Sequence, residues 1–481
     1  MSAEIVAGCA AATLVLLVLT QRRLLLSLSA IGIFFASHVV LVAAGLVAAP
    51  WLVDTYLPLS FPYLRVDFIS ERDVAKAIVL VIGGMALVVL GYRLAMAASL
   101  GSIRSVPPAS LLDHRYPLIG TGIRPAALLL SAFAALLIVT GTLLAELPTI
   151  QAAIASGFEG ETYYQARFVL DQHGRLFAYA ALNVLPFLAA CVAGATWLKG
   201  RHTLIAYAAI CTSVVVSILT FKKIPLLNQL LSLIGTWYVV YANRRQWRLT
   251  DSNDVLILTK TRKALPRRPL VLILGAFVLF AAGSYYLVSG GGLSFSLALG
   301  FAVERVFSRL TMTNLMYAHY FPDIEGHYGL RNVGFLADLL GTRLYEDTVA
   351  TYQYFLRLDF AEGSGAIGAL TDFYAAFGWS GWLVLSLLLG VVLYILDRFL
   401  GSLQPLLINR VFHIFVLITV TFLAQASVFR TLSTYGGGIL VLLWLFVGTH
   451  GRLRPVSGQP GVAASSGASL GRSERTAQFL Q

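Results

Sequence analysis

Arginine and lysine side chains with a spacing suited to anion binding occur at several points along this chain. Arg305 and Arg309 are four residues apart, so on a helix they would project from one face, one turn apart. Their planar guanidinium groups suit phosphate or pyrophosphate oxygens, because each guanidinium can donate two parallel hydrogen bonds. The alternatives for this pair are a solvated helix face or contacts with lipid headgroups.

Three further basic residues lie between apolar segments. Lys222 and Lys223 separate two such segments, and Arg430 follows the second-last segment, close to Tyr435. We interpret all three basic side chains as candidate contacts of an anionic ligand. The count of membrane spans places the two lysines outside, which breaks the positive-inside rule. The alternative is that the number of membrane spans before them is wrong by one.

Groups that could transfer a proton are concentrated in the segment 321–331. It brings two acids, a histidine and an arginine into a sequence rich in turn formers. His327 or Glu325 could take a proton from a hydroxyl group, and Arg331 is a candidate anion contact. The alternative is a polar loop that satisfies its own hydrogen bonds.

A run of small residues, 363–381, contains Asp372 and Tyr374 just before an apolar segment. Small residues allow a ligand or a neighbouring helix to approach the backbone closely. A carboxylate at this depth is costly and often functional, so we rank Asp372 ahead of His327 as the proton acceptor. For Asp372 the alternative is a helix cap or an ion pair with an arginine. Tyr374 is a candidate substrate contact. The alternative is that Tyr374 belongs to an interfacial belt with Phe377, Trp379 and Trp382.

The overall composition predicts that a membrane surrounds these residues. The chain has 58% hydrophobic and only 12% charged residues, whereas soluble proteins have roughly a quarter charged residues. The net charge of +12 does not indicate nucleic acid, because the basic residues lie in short loops between apolar blocks, as the positive-inside rule requires.

The apolar blocks predict an all-α, polytopic protein with about eleven membrane spans (ten to twelve), since roughly 20 apolar residues cross a bilayer. The predicted spans are 2–20, 24–48, 74–97, 125–146, 176–198, 203–220, 224–242, 269–289, 379–400, 409–428 and 432–449. We expect the first span to be retained, with its start outside, because its basic residues follow it.

Loop charges predict which parts lie on each side of the membrane. Residues 1–450 form a single transmembrane domain, and the loop 243–268 has eight basic against two acidic residues, which predicts a cytoplasmic location. The region 290–378 has nine acidic against five basic residues and is predicted to be external and partly helical. The tail 451–481 is predicted to be cytoplasmic and disordered.

The sequence lacks the motifs of the common cofactors. It has no P-loop and no cluster of cysteine and histidine with zinc-ligand spacing. The three cysteines, Cys9, Cys191 and Cys211, lie in apolar segments and are expected to be free. We therefore expect no cofactor and no metal site.

The region 150–445 resembles the bacterial oligosaccharide repeat-unit polymerases, the O-antigen (Wzy-type) polymerase family. Three segments carry the resemblance: 305–309 leading to 320–322, the run 372–381 before an apolar segment, and 221–223 between two apolar segments. Two features depart from the family pattern. The interval from Arg331 to Gly341 is one residue short of the spacing described for some members, and eleven spans differ from the usual twelve.

The resemblance implies a metal-independent, inverting glycosyltransferase with a GT-C-like fold in the bacterial inner membrane. Its donor would be a growing glycan on undecaprenyl pyrophosphate, and its acceptor a lipid-linked repeat unit. The arginines and lysines named above would contact the pyrophosphate, and a carboxylate or histidine would deprotonate the acceptor hydroxyl. Membrane lipids and a chain-length regulator are further candidate partners, and no nucleic acid is expected.

Three other functions are compatible with the same sequence features. An O-antigen ligase would share the long external region rich in arginine and histidine. A transporter or flippase of a lipid-linked anionic sugar would be expected to have charged residues within its spans, and the predicted spans are nearly free of charge. A structural component of an export machine would not need the polar cluster at 321–331.

Overall fold

The computed structural model describes most of the chain in discontinuous ranges. These are 2–25, 27–51, 69–99, 118, 120–155, 175–200, 204–220, 223–252, 255–260, 309–356, 367–433 and 436–449. The predicted span 269–289, the tail 451–481 and the residues Lys222 and Arg305 lie outside the described residues.

The described residues are predominantly helical. In chain order the helices are α1 (Ala3–Leu25), α2 (Ala30–Trp51), α3 (Glu71–Ser99), α4 (Pro125–Ala145), α5 (Leu147–Ala155), α6 (Ala180–Leu198, preceded by a turn Arg175–Tyr179), α7 (Leu204–Leu219), α8 (Lys223–Gln246), α9 (Arg309–Tyr320), α10 (Gly334–Leu339), α11 (Asp347–Leu356), α12 (Ala369–Ser402), α13 (Leu407–Ala424), α14 (Val428–Ser433) and α15 (Gly437–Val447). An antiparallel hairpin follows α8, with β1 (Trp247–Ser252) paired to β2 (Val255–Lys260).

Eight helices within the described residues are long and apolar enough to cross a membrane, counting α14 and α15 as one span. They coincide with eight of the eleven predicted spans, so the chain has the architecture of a multi-pass membrane protein. The predicted spans 203–220 and 224–242 also form helices, α7 and α8, but α7 has only 16 residues. The predicted cytoplasmic loop 243–268 contains the end of α8 and the hairpin.

Loops that the charge pattern predicts to be cytoplasmic meet at one end of the helix bundle. Leu407 donates its backbone N–H to Gly120 (3.0 Å), and Arg124 donates to Val447 (2.8 Å). Asn243, near the end of α8, accepts from the Leu118 N–H at 2.9 Å. We call this the basic end. Because α8 has 24 residues and rises about 1.5 Å per residue, Lys223 at its start lies far from the basic end.

The opposite end of the bundle brings together the starts of α3 and α12 and the segment 318–333. We call it the site end. Lys76 reaches the carbonyls of Ala318 and Phe321, and Gly329 donates its backbone N–H to Ala376 at 2.9 Å. The charge pattern predicts this end to be external.

Helices α3 and α12 pack closely against each other, and two glycines make that approach possible. A Cβ atom on Gly91 would lie 2.1 Å from the carbonyl oxygen of Leu387, and one on Gly390 would lie 2.1 Å from that of Val88. Small residues have this role in many membrane helix pairs, because packing rather than the hydrophobic effect holds the helices together. The indole of Trp382 adds a hydrogen bond to the Leu80 carbonyl at 2.9 Å.

A buried carboxylate fixes α2 to α12 at the basic end. Asp397 is fully buried and accepts from the Ala30 N–H at 2.7 Å and from the Tyr92 hydroxyl at 3.1 Å. The first N–H groups of a helix have no partner within it, so this carboxylate caps α2 as well as joining three helices.

Candidate functional site

A polar cavity of about 310 Å³ opens at the site end. It lies between the start of α3, the segment after α9 and the first turns of α12. Its lining consists of Arg72, Lys76, Pro322, Asp323, His327, Tyr374 and Trp379. Two cations, a histidine, a carboxylate and two aromatic rings therefore surround one space at the edge of the predicted spans.

The first turn of α3 positions the two cationic side chains. Ser70 and Asp73 form a capping box, in which each side chain accepts from the backbone N–H of the other residue. One helical turn separates Arg72 from Lys76, so both side chains can reach the same cavity. Arg72 is exposed, and its guanidinium makes no hydrogen bond or ion pair with another described residue.

Lys76 is held more tightly than Arg72. Its ammonium group donates to the carbonyls of Ala318 and Phe321, each at 2.7 Å, and lies 4.9 Å from the centre of the Tyr374 ring. These contacts join α3 to the end of α9, where carbonyl groups have no partner within the helix. One of the three ammonium N–H groups remains for a ligand.

His327 is exposed in the cavity, and its ring orientation is defined by α12. Its Nδ1 lies 3.1 Å from the carbonyl oxygen of Ala375. A carbonyl can only accept, so Nδ1 carries the hydrogen and Nε2 is the basic nitrogen of the neutral ring. Gly378 has a φ of +69°, which interrupts α12, and a Cβ at this position would lie 3.0 Å from Nε2.

Aromatic rings continue from His327 along the start of α12. The ring centres of His327 and Tyr374 are 5.5 Å apart, those of Tyr374 and Trp379 are 5.0 Å apart, and those of Trp379 and Trp382 are 5.5 Å apart. Edge-to-face contacts of this kind hold the rings at fixed angles. Trp379 is exposed and Trp382 is buried, so the series runs from the cavity into the helix pair.

Asp372 does not line the cavity but lies buried behind it. Its Oδ1 accepts from the Tyr328 hydroxyl at 2.6 Å and from the Asn332 amide at 3.4 Å. Burial raises the pKa of Tyr328 well above its usual range, and the negative charges of Asp372 and Asp347 raise it further. Tyr328 therefore stays protonated and donates to the carboxylate.

Asp347, which is fully buried, and Arg430, which is partly exposed, form an ion pair next to Asp372. The Arg430 guanidinium donates to Asp347 Oδ1 at 2.6 Å, and the Tyr317 hydroxyl donates to Oδ2 at 2.6 Å. Burial and the charge of Asp347 raise the pKa of Tyr317 well above its usual range. The cluster of Tyr317, Tyr328, Asp347, Asp372 and Arg430 thus joins α9, α11, α12 and α14.

A carboxylate–histidine pair lies beside the cavity. Asp73 Oδ2 accepts from Ser70 and lies 2.9 Å from Nδ1 of His319. The pair connects the start of α3 to α9, on the same helical turn as Arg72. It reinforces the contact that Lys76 makes with the end of α9.

The residues predicted from the sequence are thus not gathered in one place. His327 and Tyr374 line the cavity, whereas Asp372 and Arg430 lie in the buried cluster. Arg331 lies with its guanidinium 5.4 Å from the centre of the Tyr345 ring, and the Glu325 N–H donates to Tyr320. Lys223 and Arg309 begin α8 and α9, and the described residues do not include Lys222 and Arg305.

Sequence reasoning missed the contribution of α3 to the site. Arg72 and Lys76 line the cavity, and Asp73 pairs with His319, yet none of these residues was predicted to be functional. The segment 70–73 does have the pattern of a capping box before an apolar run, which marks a helix start. That pattern predicts where α3 begins. It does not predict that α3 packs against residues 242 positions later in the chain.

Within the described part of the chain, no group of three or more His, Cys, Asp or Glu side chains is arranged to hold a metal ion. The fold and the cavity together define a helical multi-pass membrane protein with a polar site at one end of its spans. Comparison of the chain with protein-family models, curated proteins and solved structures finds no match.

Proposed function

We propose that this protein is a metal-independent, inverting glycosyltransferase with a GT-C-like fold. It joins oligosaccharide repeat units linked to undecaprenyl pyrophosphate into a surface or secreted polysaccharide, on the outer face of the bacterial inner membrane. The proposal combines the resemblance of the region 150–445 with the chemistry of the cavity.

The observation that carries this proposal is the composition of the cavity lining. Arg72 and Lys76 offer positive charge to a phosphate or pyrophosphate group, and His327 offers a basic nitrogen exposed in the same space. Tyr374 and Trp379 add apolar surfaces with polar edges. A lipid-linked sugar brings a pyrophosphate, a hydroxyl-rich ring and an apolar chain to one place at the membrane surface.

The proposed reaction needs no group other than these side chains and the two substrates. The acceptor hydroxyl attacks the anomeric carbon of the donor sugar, and a new C–O bond forms as the bond to the pyrophosphate oxygen breaks. The hydroxyl proton passes to Nε2 of His327, which acts as a general base. Arg72 stabilises the negative charge that develops on the leaving lipid pyrophosphate.

A transporter of an anionic lipid-linked sugar is a second candidate function. The buried cluster favours it, because Asp347, Asp372 and Arg430 are charged groups at or near the depth of the spans. Charged residues in such positions often mark the path of a substrate or an ion. The two functions differ in whether isolated protein lengthens a glycan or only moves it across a bilayer.

The test uses the full-length protein purified in detergent, with lipid-linked repeat units and EDTA. We expect glycans longer than the substrate on a gel, because the donor pyrophosphate bond supplies the driving force. His327→Ala and Arg72→Ala should each reduce the rate about a hundredfold or more. Arg343→Ala is the matched control, because Arg343 is exposed at the site end but does not line the cavity.

Two results would contradict the proposal. One is wild-type protein that gives no longer product, while proteoliposomes containing it move the same lipid across the bilayer. The other is an Arg343→Ala variant that loses as much activity as Arg72→Ala, because a general loss of surface charge would then explain both.

A further inference from the structure

We propose that Asp372 is a positioning residue that holds the segment 327–332, and with it His327, against α12. The proposal rests on the proposed function for its catalytic consequence, but the position of the segment can be measured independently. It reverses the ranking that sequence alone suggested, in which Asp372 itself was the proton acceptor.

The segment 327–332 is bonded to a single stretch of α12. His327 Nδ1 donates to the Ala375 carbonyl at 3.1 Å, and the Gly329 N–H donates to the Ala376 carbonyl at 2.9 Å. Tyr328 adds the 2.6 Å bond from its hydroxyl to Asp372 Oδ1. Three consecutive residues of this segment are therefore hydrogen-bonded to residues 372–376.

The side chain of Asp372 is placed for this role and not for contact with a substrate. It is 5% exposed, Tyr328 is 1% exposed, and neither residue lines the cavity. The Tyr328 ring lies between Phe321 and Tyr345, with ring centres 5.4 Å and 5.5 Å away. Asp372 therefore fixes the Tyr328 ring, which packs within the loop. The preceding residue, His327, is exposed.

The hydrogen bonds of Asp372 do not require a negative charge. Its two donors, Tyr328 and Asn332, are neutral, and the nearby Arg430 is bonded to Asp347. An asparagine has the same shape and an acceptor oxygen for the Tyr328 hydroxyl. Alanine instead removes the acceptor and leaves a buried hydroxyl without its partner, which is costly.

The first test measures the mobility of the segment without any assay of activity. Gly326 has open space around the position of a Cβ atom, so Gly326→Cys can hold a nitroxide spin label. The native Cys9, Cys191 and Cys211 are first replaced by alanine. We expect a broad, immobilised spectrum for the labelled Gly326→Cys variant, and the same spectrum when Asp372→Asn is added to it. Adding Asp372→Ala or Tyr328→Phe should instead give a mobile component.

An immobile label in Asp372→Ala would overturn the proposal, as would a mobile label in Asp372→Asn when the thermal unfolding midpoint is unchanged. Tyr328→Phe keeps the ring and loses only the hydroxyl, so it reports on the hydrogen bond even if Asp372→Ala does not fold.

The second test measures kcat and KM for lengthening of the glycan. Asp372→Asn should stay within about threefold of wild type, whereas loss of a true general base costs about a hundredfold or more. Asp372→Ala should lower kcat about a hundredfold with a smaller effect on KM, because it misplaces the reacting group.

If Asp372→Asn is as inactive as Asp372→Ala while the label stays immobile, Asp372 is the base and the proposal is wrong. Absence of any lengthening by wild type contradicts the proposed function alone, since the spin-label result still decides the role of Asp372.

Discussion

The guanidinium of Arg430 lies 2.6 Å from the carboxylate of Asp347, although the two residues are 83 positions apart in the sequence. Asp347 is fully buried, and the Arg430 side chain is 29% exposed. The pair connects α11, in the long region between spans, to α14 in the last span. Arg430 was predicted to contact an anionic ligand, whereas its guanidinium is engaged by a carboxylate that the sequence did not single out.

Breaking this pair from either side should destabilise the protein. Arg430→Ala leaves a buried carboxylate without its cation, and such losses cost about 3–5 kcal/mol for fully buried pairs. We expect the lower end of that range, because Arg430 is partly exposed. The measurement is the free energy of unfolding in detergent for Asp347→Ala, Arg430→Ala and the double variant. Effects that simply add in the double variant would show that the two side chains do not interact.

Because α3 and α12 approach closely, adding one methyl group at their contact should strongly destabilise the protein. Gly91→Ala and Gly390→Ala would each place a Cβ atom 2.1 Å from a backbone carbonyl oxygen of the other helix. We expect losses of about 3 kcal/mol, the upper end for overpacking, seen as a lower thermal midpoint. Gly141→Ala is the control, because a Cβ there has no neighbour within 4 Å, and it should be neutral or stabilising by up to about 1 kcal/mol. Equal behaviour of all three variants would refute the packing argument.

The charge pattern predicts the orientation of the two ends of the bundle. A cysteine at position 340, in the region of the site end, should react with an impermeant maleimide in intact cells. A cysteine at position 255, in the hairpin strand β2, should react only after the membrane is permeabilised. Both variants need the native cysteines removed, since Cys9 and Cys211 are exposed. Labelling at 255 but not at 340 in intact cells would reverse the topology.

Arg305 and Arg309 are predicted to contact the pyrophosphate of the lipid-linked substrate. Arg305→Ala and Arg309→Ala should each abolish long polymer while the protein still inserts into the membrane. Arg→Lys should restore little, because a single ammonium group cannot reproduce two parallel hydrogen bonds. Polymer length on a gel and protein level in the membrane fraction are the measurements. Normal polymer in both alanine variants would favour contacts with lipid headgroups instead.

Local sequence also predicted where the polar loop lies but not which part of it faces the cavity. The segment 321–331 was expected to hold a base and an anion contact, and His327 does line the cavity. Tyr328, the next residue, points into the buried cluster and bonds Asp372. In an irregular loop, successive side chains follow no fixed period, so the direction of each one depends on what packs around it.

The amino-acid sequence alone determined the class of this protein and the positions of its long apolar helices. Apolar runs of bilayer length mark the spans, and the eight membrane-length helices among the described residues all fall where those runs were identified. Tertiary structure decided which polar residues meet. Lys76 and Ala318 are 242 positions apart and lie in hydrogen-bond contact, because the packing of small and large side chains selects which helices become neighbours. Period and composition describe one helix at a time, so neither could place Arg72 and Lys76 beside His327.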